Sequence, residues 1–257
     1  MATACLSLDI GNPPFGHAGE SAIQEWFESS SAIDLLGGAE RKDLLKFEGN
    51  AQGFRTLCTL QQAPQRGGMQ LTSAVLGTFT KYPRASEVDE AQKGGISGKK
   101  FGFMQSEAVL FQEVAHELGL KQKPGTAAAW HRHPLAFLVE AADDICYHVM
   151  DIEDGYKAGC ISFQEIADLH RPWLSEQQWG RGETIEDHGR RVEYFRAITV
   201  DAMVKAAVRA FADNYDGLMN GPLDEELTAK VELTQELKAF KTLAREKVYS
   251  ARPEVET

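Results

Sequence analysis

The chain has 257 residues and a net charge of -11 with histidine neutral, from 27 lysines and arginines against 38 aspartates and glutamates. That balance argues against an extended nucleic-acid surface and against attraction to anionic membranes, while a small anionic ligand needs only a local cluster of cations. Hydrophobic residues at 43% and charged residues at 25% are ordinary for a soluble globular protein long enough to bury a sizeable core. Cys5, Cys58, Cys146 and Cys160 form no CxxC or CxxH pair, which argues against a zinc ribbon. Scattered thiols suit a reducing compartment, so a cytoplasmic location is expected. No segment approaches the roughly 18 to 20 apolar residues of a membrane span.

In chain order, residues 2–8 are mildly apolar without a basic flank, and read as the end of a buried helix rather than a signal peptide. Two prolines and several glycines make 8–20 a fixed turn. Ile23, Trp26 and Phe27 at helical spacing predict a helix over 19–28. Residues 35–42 read as a Gly-containing connector, 47–55 as a turn feeding a helix, 63–70 as a loop, and 71–79 as a short buried helix. Residues 85–100 are polar and Gly-rich and are expected to form an exposed, mobile loop. Further helices are expected over 106–118, 134–151, 163–169, 187–215 and 223–248. Alternating Val/Thr-rich runs are scarce, so the fold class expected is all-α, in a single helical domain over 1–257.

Three stretches bring together residue types that do chemistry. Asp9, His17 and Glu20 stand within one turn, and Asp, His and Glu are the side chains that bind metals and move protons. The same stretch also reads as a loop closing two helices. Asp143, Tyr147 and Asp151 recur every four residues and share a helix face, with Glu140 three residues before Asp143. That stripe is either a solvated face or a site; it lacks the Lys or Arg partners at i+4 common on solvated faces. Asp144, about 100° round the helix, reads as an outer-face residue. Asn50 and Gln52 can be ordinary capping residues, and Lys81 an ordinary solvated lysine. His170 and His188 stand alone and read as surface or packing residues.

Residues 8–20 resemble a signature, His-Asp-x-Gly-x-Pro-Pro-Phe-Gly-His-x-Gly-Glu, of the deoxynucleoside triphosphate triphosphohydrolases, the dGTPase branch of the HD-domain metal-dependent phosphohydrolases. Phe47-Glu48-Gly49-Asn50-Ala51-Gln52, Thr80-Lys81-Tyr82-Pro83, Arg132-His133-Pro134-Leu135 and the stretch Glu140 to Tyr147 match further family segments in the expected order. The resemblance implies an HD-domain-like helical fold and hydrolysis of dGTP or another dNTP to deoxynucleoside and triphosphate. It implies that Asp9 and Asp143 are metal carboxylates and that His17, supported by Glu20, transfers a proton. It implies that Asn50, Gln52, Lys81 and Tyr82 face the nucleotide, and that Tyr147 and Asp151 meet the deoxyribose. These residues are then expected to share one cleft. Arg132 and His133 are assigned to packing at a helix start.

The departure is at Leu8, where the family has histidine. A further family histidine lies upstream of the matched region, and the chain resembles a relative that starts late and ends early. Two carboxylates hold Mg²⁺ weakly and Mn²⁺ poorly, so an impaired metal site is expected. The alternative is a catalytically silent homologue acting as a nucleotide-binding or regulatory subunit. The resemblance also points to a homo-oligomer and leaves room for single-stranded DNA as a partner.

Overall fold

A computed structural model describes residues 1–62, 68–88, 95–126 and 128–249. Among them are twelve α-helices and no strand, so the protein is all-α as expected and agrees with an HD-domain-like helical fold. In chain order the helices are α1 (Ala2–Leu6), α2 (His17–Ser29), α3 (Gly38–Leu45), α4 (Gly49–Arg55), α5 (Ser73–Phe79), α6 (Ala108–Glu117), α7 (Pro134–Lys157), α8 (Phe163–His170), α9 (Glu176–Glu183), α10 (His188–Asp213), α11 (Tyr215–Asn220) and α12 (Thr234–Ala244). None of the described helices is long and apolar enough to cross a membrane. The chain packs as two compact units. The first is Met1–Val139 with Tyr215–Glu225, and the second is Glu140–Asn214 with the chain from Glu226 onward.

The first unit is built around aromatic rings. Phe103 stacks on Phe111 at 4.4 Å between centroids, and Phe54 and Trp130 meet Phe111 at 5.5 and 5.4 Å. Apolar burial of such rings is the main stabilising term. Ala4 of α1 is buried in the same cluster, so the N-terminal residues join a core as their apolar character predicts. α6 stops at Gly119, whose φ of 63° lies in the left-handed region that ends helices. α7 begins where His133 Nδ1 and carbonyl oxygen accept the N–H groups of Leu135 and Ala136, at 3.2 and 2.9 Å.

In the second unit, Ile145, Val149 and Ile152 of α7 are buried, along with Phe195 and Met203 of α10 and Phe240 of α12. Trp179 stacks on Phe195 at 4.9 Å, and Phe163 on His188 at 4.0 Å. His170 is buried, its Nδ1 2.7 Å from Thr199 Oγ1 and its ring edge-on to Phe240. It is a packing residue.

Three expectations are corrected, and one helix is added. The connector over 35–42 is helical from Gly38, because the Glu40 carboxylate accepts the Gly37 N–H at 3.2 Å and starts α3. The single helix over 223–248 is broken: a 3₁₀ turn at Leu227–Lys230 precedes α12, and the Thr234 hydroxyl donates to the Val231 carbonyl at 2.6 Å in the bend. α9 was not foreseen, although Ser175 and Gln178 cap it reciprocally. In 85–100, residues 89–94 lie outside the described residues, but Ala85, Ser86, Val88, Ile96 and Ser97 are buried rather than exposed. The reason is polar anchoring: Asp43 accepts from the Ser86 hydroxyl at 2.5 Å, and Asp224 accepts from the Ser97 N–H and hydroxyl at 2.9 and 2.8 Å.

Candidate functional site

In the first unit, residues 9–20 lie against α4 with unusually little space between backbones. A Cβ on Gly11 would stand 2.1 Å from Gly53 N and 2.2 Å from the Gly49 oxygen, so only glycine fits. The first two matched sequence segments are therefore one docked structure. Asp9 is exposed, and its Oδ1 accepts from Asn12 Nδ2 at 2.9 Å. His17 is the first residue of α2 and is exposed.

Glu20 is buried, and its contacts run towards α4. Oε1 accepts the Gly49 N–H at 2.7 Å, and Oε2 lies 3.6 Å from Lys100 Nζ. Glu48, also buried, caps α4 by accepting the Asn50 N–H at 3.4 Å, accepts from Asn50 Nδ2 at 2.7 Å as well, and lies 3.0 Å from the same lysine. Asn50 thus has its partner within α4, and Gln52 Nε2 donates to Thr56 Oγ1 at 3.4 Å. Glu20, Glu48 and Asn50 meet at one helix start; Lys100 was not singled out from the sequence, where it is one of two adjacent lysines in a polar stretch.

Lys81 and Tyr82 follow α5 and are half-buried. Arg132 holds them: its Nε donates to the Lys81 carbonyl at 2.6 Å, and its guanidinium lies 5.6 Å from the Tyr82 ring and 5.3 Å from the Phe137 ring. Arg132 is 4% exposed, so a buried cation fixes the backbone from which Lys81 projects. His133, 3.3 Å from Thr78 Oγ1, stands below its ordinary pKa through burial and the nearby N-terminal amine.

In the second unit, Asp143, Tyr147 and Asp151 lie along α7. Asp143 and Asp151 are half-buried and Tyr147 is exposed. The Tyr249 hydroxyl donates to Asp151 Oδ2, and burial together with Asp151 and Tyr147 raises the Tyr249 phenol above its ordinary value. Asp144 is not an outer-face residue. It is half-buried, accepts from the Thr228 hydroxyl at 3.2 Å, and lines a cavity of about 690 Å³ with His148, Glu226 and Lys241. Burial, then Glu140 and Glu226, push its carboxyl up to about 6. His148 is lowered by burial and by Lys241. Helical periodicity placed Asp144 off the stripe correctly, but it carried no signal that residues 226–228 return to cover that side.

The donor set for a divalent metal is thin. Leu8 packs its side chain against the apolar core and offers no lone pair. Among the described residues, no group of three or more His, Cys, Asp or Glu side chains gathers to hold a metal ion. Asp9 lies in the first unit and Asp143 in the second. These residues do not fit a metal ion held by protein ligands alone.

No family model matches the chain. It is 40% identical over 264 residues to a deoxyguanosinetriphosphate triphosphohydrolase-like protein of Synechocystis sp., covering 97% of this chain and 58% of that one. It is 39% identical to a protein of the same description from Pseudomonas aeruginosa, over 97% of this chain and 57% of the relative. A deoxyguanosinetriphosphate triphosphohydrolase of Klebsiella pneumoniae is 31% identical, over 98% of this chain and 56% of the relative. The chain thus spans a little over half the length of the curated relatives it matches. Over nearly all of its length the chain is similar to proteins described as deoxyguanosinetriphosphate triphosphohydrolases or as like them.

Proposed function

We propose that the chain is a dNTP triphosphohydrolase, cleaving dGTP or other dNTPs to deoxynucleoside and triphosphate, in a form whose metal site is impaired. The observation that carries this reading is the likeness to relatives named for that activity over 97% of the chain. In the reaction, a water oxygen bonds to the α-phosphorus as the bond to the sugar 5′-oxygen breaks. The water loses its proton and the leaving oxygen gains one; the catalysis is mainly positioning and charge stabilisation. His17, with Glu20, handles a proton at the attacking or leaving oxygen. Lys81 meets triphosphate charge, Tyr82, Asn50 and Gln52 face the nucleotide, and Tyr147 and Asp151 meet the deoxyribose. Asp9 and Asp143 are the carboxylates for a weakly held Mg²⁺ or Mn²⁺. The four cysteines are free, which supports a cytoplasmic protein. A homo-oligomer and single-stranded DNA as a partner remain part of the proposal.

The second reading, a silent homologue that binds nucleotide or regulates an assembly, is favoured by Leu8, which stands where the resembled signature has histidine and offers no lone pair. One experiment separates the two. Purified protein is incubated with each dNTP plus Mg²⁺ or Mn²⁺ while triphosphate release is followed, and dNTP binding is measured by calorimetry. Triphosphate release supports the first reading, and binding without release the second. Neither release nor binding removes both.

A further inference from the structure

Two carboxylates of the first unit, on Glu20 and Glu48, are buried at the start of α4, and one lysine serves both. Lys100 Nζ lies 3.0 Å from Glu48 Oε1 and 3.6 Å from Glu20 Oε2. Its direction is set by its neighbour Phe101, which is buried with Phe47, Ala51 and Met104 while Ile23 of α2 packs against the same cluster. Glu20 is therefore gripped at two points: Oε1 by the Gly49 N–H at 2.7 Å and Oε2 by the lysine. The charge of Arg84 also faces Glu48.

We propose that Lys100 is a positioning residue for the His17–Glu20 pair. By balancing Glu20 and Glu48 together it fixes the rotation of the Glu20 carboxylate about its Gly49 bond. With that it fixes the first turn of α2, where His17 stands three residues before Glu20. The proposal rests on the reading of His17 and Glu20 as the proton-handling pair. A buried carboxylate with one oxygen already hydrogen-bonded and the other facing a cation has a single low-energy orientation. Removing the cation frees Oε2 and sets Glu20 against Glu48, while the apolar contacts of Phe101 remain. The consequence is a local turn of the carboxylate rather than a loss of fold.

The test is nuclear magnetic resonance on the parent, Lys100→Met, Lys100→Arg and Glu20→Gln, alone and combined, at one pH. It follows the His17 ring cross-peak and the Gly49 amide. Lys100→Met is expected to move both more than amides elsewhere in the unit. Lys100→Arg is expected to leave both near the parent positions. In the Glu20→Gln background, Lys100→Met is expected to move His17 no further. If Lys100→Met leaves His17 and Gly49 in place, or moves them equally without Glu20, the proposal is overturned. Should that variant not fold, Glu48→Gln decides: it leaves Lys100 to Glu20 alone, and an unmoved His17 cross-peak overturns the proposal. The outcome is independent of catalysis. A parent that binds no dNTP removes the triphosphohydrolase reading, while these spectra still decide the role of Lys100.

Discussion

Gly11→Ala tests whether the two matched segments near the N-terminus are one docked structure. The added methyl carbon would sit 2.1 Å from Gly53 N, 2.2 Å from the Gly49 oxygen and 2.5 Å from Gly53 Cα. An ordinary carbon contact is about 3.5 Å, so the backbones must part by about 1.4 Å. All three obstructing atoms are main chain, which has no rotamer to move into. Overpacking of this kind costs about 3 kcal/mol, the upper end of the usual range. The displacement also pulls on the 2.7 Å bond between Gly49 N–H and Glu20. The assay is amide hydrogen exchange in peptides covering α4, where such a loss accelerates exchange by roughly two decades. Gly38→Ala is the control, because a methyl group there would meet nothing within 4 Å, and it should be neutral or slightly stabilising. If Gly11→Ala exchanges like the parent while folding normally, the close approach of the two segments is wrong.

Asp144→Asn should stabilise the second unit far more at pH 8 than at pH 4. The raised folded pKa means that the native state keeps a proton the unfolded chain has lost as pH rises from the ordinary value to about 6, so stability falls across that window and stays lowered above it, by about 3 kcal/mol. Urea melts at the two pH values check this, and an equal effect at both would contradict it. His170, lowered to about 4 by burial, acts in the opposite sense. The unfolded chain takes up its proton first, so its contribution to stability should fall as pH drops from about 6.5 towards 4; a flat profile in the Asp144→Asn background, where the opposing carboxyl is gone, would count against its burial. Leu8→His should raise Mn²⁺ affinity in calorimetry while circular dichroism stays unchanged. Micromolar stoichiometric Mn²⁺ binding by the parent would instead show that the site is not impaired. Lys81→Ala should weaken dNTP binding and make the remainder less sensitive to salt, since a point charge is removed; unchanged affinity would detach Lys81 from the phosphates.

Much of the architecture was legible because helix signals are local. Ile23, Trp26 and Phe27 marked α2, Pro134 marked the start of α7, and Gly119 the end of α6, through spacing and backbone preference that act within a few residues. The errors lay where side chains decide the backbone. Glu40 starts α3 by reaching back to Gly37, and Thr234 fixes the bend before α12; both bonds are short-range, but composition alone does not announce them. The segment around 85–100 was misread for a different reason. Ser86 and Ser97 are buried there because Asp43 and Asp224, distant in sequence, accept their hydrogen bonds.

The sequence by itself carried the resemblance to the triphosphohydrolases, the all-α class, and which stretches hold the chemically capable side chains. It also exposed the leucine where a metal-binding histidine is expected, since residue identity needs no coordinates. Only the tertiary structure decided what those side chains touch. It turned Glu20 towards Gly49 and Lys100, put Arg132 beneath Lys81, brought the Tyr249 hydroxyl to Asp151, and placed Asp144 in a cavity. The physical reason is that periodicity fixes the face of a helix on which a residue lies. The partner that meets that face comes from far along the chain, and burial then sets the charge the residue can carry.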